Sequence, residues 1–159
     1  MKDEQIRIVE MKVQKVALAH GTGKEIGKPE EEAWAKMMKW IDEEDVLEES
    51  DGLQFFGRNN PPPSEENEEY GYDQMVTLYK DYEPDKDIEI TEIEGGTFAV
   101  TRFKNLENIG KKWQELYGWV QDSDEYEIAG HGLEELLSSP EELVPEKMIF
   151  DLWLPVKKS

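Results

Sequence analysis

Trp113-Gln-Glu-Leu-Tyr-Gly-Trp119 repeats the spacing of Trp34-Ala-Lys-Met-Met-Lys-Trp40, with five residues between the tryptophans in each. A short apolar strand precedes each copy, Val16-Ala-Leu-Ala19 and Phe98-Ala-Val-Thr101. An Ile-Gly-Lys triplet lies between strand and tryptophans, Ile26-Gly27-Lys28 and Ile109-Gly110-Lys111. Repetition of this kind decides the architecture before local detail does. Two copies predict one domain of pseudo-two-fold symmetry, with a ligand groove between its halves.

Working outward, Ile6 and Ile8 alternate with polar residues and predict a first strand, and residues 13–20 a second. Gly21-Thr-Gly23 and Gly27 read as a loop. Pro29 followed by three glutamates predicts a helix start, because proline suits the first turn and acids its positive end. That helix runs to about Glu44 with Trp34, Met37, Met38 and Ile41 as its apolar stripe. Residues 53–57 form a strand, 58–69 a loop rich in proline and charge, and 72–79 another strand. The polar stretch 81–87, with Pro84, is the expected joint.

The second half repeats the plan. Strands are predicted at 88–93 and 97–103, and a helix from about Leu106 to Gln121. A short strand follows at 125–129, a helical turn at 132–137 and a closing strand at 148–156. The expectation is one domain over 1–159, with halves at about 1–80 and 88–159. Each half is βαββ, an α+β fold whose helices cover one face of an antiparallel sheet.

At 159 residues the chain suits a single domain with its own core. It has no cysteine, which excludes disulfides and thiol chemistry and suits a reducing compartment. The N-terminus lacks a signal-peptide pattern, and no apolar run is long enough to span a membrane. A cytoplasmic protein is expected. Thirty-eight acidic residues against 18 basic ones give a net charge of −20. Such a surface repels nucleic acid and anionic membranes. It suits solubility, a salty cytoplasm or a basic partner.

Four stretches carry a resemblance. They are Gly95-Gly-Thr-Phe-Ala-Val100, Trp113-Gln-Glu-Leu-Tyr-Gly-Trp119, Phe56-Gly-Arg-Asn-Asn-Pro61 with Tyr72-Asp73, and Phe150-Asp-Leu-Trp-Leu-Pro-Val156. In order over nearly the whole chain, they resemble a GyrI-like small-molecule-binding domain. This is also the effector-binding domain of multidrug-responsive, AraC-type transcription activators. The resemblance implies a duplicated βαββ fold and a groove for lipophilic, often cationic, molecules. It also implies two further roles: hydrolysis of cyclopropane-bearing alkylating toxins by some stand-alone members, and protection of DNA gyrase by others. The family's closing strand carries a glutamate where Asp151 aligns here. The chain has no room for a helix-turn-helix, so a stand-alone form is expected.

On the closing strand Phe150, Leu152, Leu154 and Val156 alternate to one face, and Ile149, Asp151 and Trp153 to the other. An acid beside tryptophan in an apolar groove would serve as counter-charge or general acid. The plainer alternative is a solvated sheet face. Phe56, Tyr72, Trp113, Tyr117, Trp119 and Trp153 are the candidate aromatic lining, each able to attract a cation by roughly 0.5–2 kcal/mol. Core packing is their alternative: Trp34 and Trp113 lie on the apolar stripe, and Trp40 and Trp119 off its centre. For an enzyme, Asp151 and Tyr117 would be the catalytic pair.

The glycines at 21, 23 and 27 do not match the spacing of a dinucleotide fingerprint or a P-loop. His20 and His131 are expected in loops, without the convergent ligands a zinc site needs. Neither cofactor nor metal is expected. The partner predicted is a lipophilic, cationic or aromatic small molecule. A homodimer through a sheet edge and a protein partner for the acidic surface are the further associations.

Overall fold

The computed structural model describes residues 6–44, 46, 53–60, 69–78, 80–137 and 144–159. The proline- and glutamate-rich stretch 61–68 lies outside the described residues. In chain order the elements are β1 (Ile6–Met11), β2 (Gln14–Gly23), α1 (Lys28–Glu43), β3 (Phe55–Asn59), β4 (Tyr70–Thr77), β5 (Ile88–Ile93), β6 (Gly96–Lys104), α2 (Ile109–Gln121), β7 (Tyr126–Ile128), β8 (Leu133–Leu136) and β9 (Ile149–Lys158). The strand pairs within each compact unit are antiparallel, and the fold is α+β.

Two compact units share these elements. One is Gln14–Ile93; the other joins the chain's start, through Val13, to Glu94–Ser159. The unit boundaries therefore fall inside two tight connections, 12–13 and 94–95, rather than in the polar stretch 81–87. In the 14–93 unit the strands run in the order β3-β4-β2-β5. In the 94–159 unit they run β8-β9-β6-β1, with β7 also on β9.

The helices of both units lie on one sheet face of their own unit. In the 14–93 unit, α1 buries Pro29, Ala33, Met37, Trp40 and Ile41. It presses so closely on β2 that a Cβ on Gly21 would stand 2.1 Å from the Pro29 carbonyl oxygen. This explains a departure from expectation. Gly21-Thr22-Gly23 is strand, paired with Tyr72, Gly71 and Tyr70, and its glycine content reflects the helix above it. The buried stripe of α1 is also rotated from the predicted one. Trp40 is 2% exposed and packs edge-on to Tyr82, whereas Trp34 is half-buried against Phe55.

In the 94–159 unit, Leu116 and Val120 of α2 pack onto Ala99, Phe103, Phe150, Leu152, Leu154 and Val156. Each fully buried side chain of this size contributes about 1.5–3 kcal/mol. A 3₁₀ turn, Leu106–Asn108, precedes α2, and the Asn105 side chain accepts from the Glu107 N–H. Residues 133–136 correct the predicted helical turn: they are strand β8, with Glu135 opposite Asp151 and Leu133 opposite Trp153. The edge offered by β9 wins over a local pattern, leucines three apart, that suits a helical turn.

Candidate functional site

Residues directly opposite in antiparallel strands share a face. The registers therefore place Asp151, Trp153, Glu135, Leu133, Arg102, Val100, Phe98 and Arg7 on the helix-free face of the 94–159 unit. Phe98 and Trp153 meet edge to face at 5.5 Å.

Asp151 is 3% exposed. Arg102 donates to it twice, from Nε to Oδ1 at 2.9 Å and from Nη2 to Oδ2 at 3.2 Å. Arg7 donates from Nη2 to Oδ2 at 3.1 Å. A carboxylate withdrawn from water costs several kcal/mol unless paired and hydrogen-bonded, and these two guanidiniums meet that cost. The same hydrogen bonds, with the carboxylate's charge, raise Arg102 above its ordinary pKa. Asp151 is thus not an acid on a solvated face but a buried carboxylate paired with two arginines.

The acid that sequence reading missed is Glu135, 5% exposed. Its Oε1 accepts the indole N–H of Trp153 at 2.9 Å. Leu133-Glu-Glu-Leu136 does not alternate in polarity, so no local signal marked Glu135; only pairing with β9 sets it opposite Asp151.

The 14–93 unit holds a comparable arrangement on its own helix-free face. Asp73, 2% exposed on β4, pairs across strands with His20 and Arg58. His20 Nδ1 lies 2.7 Å from Oδ1, while Arg58 Nε and Asn60 Nδ2 each donate to Oδ2 at 3.0 Å. His20 is therefore a strand residue, as the strand expected at 13–20 has it and against its reading as a loop histidine; His131 is in a loop.

The other predicted lining residues are dispersed. Phe56 is fully buried on the face shared with Asp73 and Met75. Tyr72 points to the helix side, its hydroxyl 1.9 Å from where a Gly57 Cβ would stand. Trp113, Tyr117 and Trp119 of α2 pack against the cluster of Leu152 and Leu154. Trp113 donates to Glu134 at 3.2 Å. Tyr117 and Asp151 thus belong to opposite faces of the sheet. Among the described residues no His, Cys, Asp and Glu group is arranged to hold a metal ion, and no helix is long and apolar enough to cross a membrane.

The model of the GyrI-like small molecule binding domain matches residues 4–157. The chain belongs to this family. Solved structures share the fold of this GyrI-like domain at low identity. The EcmrR C-terminal domain superposes with a TM-score of 0.73 at 14% identity, covering 98% of both chains. A hydrolase encoded by lin2189 from Listeria innocua gives 0.66 at 11%, covering 96% of this chain and 92% of that one. SAV2435 bound to tetraphenylphosphonium gives 0.56 at 12%, covering 96% and 93%. No curated protein sequence matches the GyrI-like chain.

Proposed function

We propose that this chain binds a lipophilic small molecule with an aromatic body against the helix-free face of the 94–159 unit. Glu135, rather than Asp151, is the acid that meets a cationic or N–H-bearing end of the ligand. The observation that carries this reading is the hydrogen bond from Trp153 Nε1 to Glu135 Oε1. It fixes a buried carboxylate at an aromatic wall made by Trp153 and Phe98, the mixture of apolar surface and few placed polar groups typical of ligand sites. Tetraphenylphosphonium, the ligand of SAV2435, is a suitable probe because it combines aromatic surface with one positive charge.

The hydrolase reading finds less support. Asp151 and Tyr117, the pair expected to carry it, do not share a face of the sheet.

Calorimetric titration tests the proposal. Tetraphenylphosphonium is expected to bind the unaltered protein, with at least tenfold loss in Glu135→Gln, as expected for about 1.4 kcal/mol from one buried charge. Neutral triphenylmethanol should bind both proteins alike. Equal affinity of the phosphonium for both proteins, or none for either, would sink the assignment.

A further inference from the structure

Asp151 gathers two like charges that would otherwise repel. Arg7 on β1 and Arg102 on β6 are diagonal neighbours on one sheet face, since Arg7 stands opposite Val100. Both place Nη2 within 3.2 Å of the same oxygen, Asp151 Oδ2. The carboxylate beneath is 4% exposed at its side chain, yet the guanidiniums above it are 49% and 59% exposed. Three hydrogen bonds to Asp151 occupy the inner edges of the two forks. The outer N–H groups face solvent. The trio of Arg7, Arg102 and Asp151 carries one net positive charge, which Glu135, opposite Asp151, balances, while both guanidiniums stay about half exposed.

We propose that Arg7 and Arg102 form a receptor for an oxyanion, a carboxylate, phosphate or sulfonate group borne by the small molecule. Paired guanidiniums offer the planar, parallel N–H donors that such groups accept bidentately. Asp151 is a positioning residue: it pre-sets both forks, so the side-chain entropy of ordering them is met on folding rather than on binding. The inference rests on the small-molecule reading for the rest of the ligand and adds to it an anionic group. With Glu135 opposite Asp151, a ligand carrying a cation at one end and an oxyanion at the other is held at both.

The test is calorimetry with 1-naphthoate, its neutral counterpart 1-naphthamide, and tetraphenylphosphonium in parallel. Naphthoate is expected to bind about tenfold or more tightly than naphthamide, as bidentate charge-assisted hydrogen bonds imply. Arg102→Lys keeps the charge and loses the fork. It should weaken naphthoate several-fold and leave naphthamide unchanged, with Arg7→Gln acting likewise. Inorganic phosphate should compete with naphthoate and not with the phosphonium. A naphthoate affinity no greater than that of naphthamide in the unaltered protein overturns the proposal, whatever the variants do. If the phosphonium still binds through Glu135 in that case, the small-molecule reading survives alone. If naphthoate is preferred while the phosphonium fails, the oxyanion receptor stands and the cation-binding role of Glu135 falls.

Discussion

Glu135 and Asp151 face each other directly across β8 and β9, both nearly excluded from water. Asp151 is gripped by two guanidiniums, and Glu135 rests on an indole N–H. Like charges directly opposite in a sheet are destabilising. Arg102, whose charge is also felt by Glu135, is what makes the pair tolerable. Arg102→Gln should therefore cost about 1–2 kcal/mol, reduced from the value for a fully buried pair because the arginine is half exposed. Urea unfolding of Arg102→Gln, Asp151→Asn and the double variant measures this. The double variant should be more stable than the sum of the single losses predicts, and strict additivity would contradict the coupling.

Tyr70 gives a pH dependence. Its hydroxyl donates to Glu30 Oε1 at 2.7 Å and accepts from the Gly27 N–H at 2.8 Å. Burial, then the hydrogen bond to Glu30, raises its pKa above the ordinary 10.0. The folded chain thus holds this proton more tightly than the unfolded chain. The resulting stability is complete below pH 10 and is lost as pH rises through the raised folded value. Denaturation at pH 9, 10 and 11 should show the decline, and Tyr70→Phe should flatten it while costing about 1 kcal/mol at neutral pH.

Glycines separate by what surrounds them. Gly21→Ala drives a methyl into the Pro29 carbonyl, a backbone atom that cannot turn aside, and should cost about 1–3 kcal/mol or more. Gly118 lies within α2 with nothing inside 4 Å of a Cβ. Gly118→Ala should stabilise by up to about 1 kcal/mol. Thermal melts of the two variants in opposite directions would check the packing.

The tryptophans of α1 make a similar contrast. Trp40→Ala removes a core side chain and should cost roughly 3–5 kcal/mol. Trp34→Ala, on a half-buried residue, should cost much less. A larger drop in blue-shifted, quencher-resistant emission with Trp40→Ala than with Trp34→Ala, over the background of buried Trp153, would support the assignment, and the reverse order would refute the observed stripe.

These contrasts show where sequence alone stops. The closing strand was legible because period-two alternation sorts Leu152 and Leu154 from Asp151 and Trp153, whatever else packs nearby. The stripe of α1 was misread because Ala33 carries little apolar signal, although its small size lets the helix approach β2. Gly21-Thr22-Gly23 reads as a loop only if nothing lies above it. The partners of Asp151 had no local signature at all. Arg102 is 49 residues away and Arg7 is 144, and only strand register brings them to one carboxylate.

That longest separation sets an order of events during synthesis. Residues leave the ribosome at about 5–20 per second, so β1 waits on the order of ten seconds for the rest of its unit. Its sheet neighbour β6 emerges later in the chain, and the aspartate that clamps Arg7 later still. Until β6 emerges, β1 is an unpaired strand bearing a basic side chain, and charge of that kind discourages pairing with another nascent chain. β1 is thus made well before the strand that secures it. Any variant that lacks β9 leaves Arg7 of β1 without its anchor.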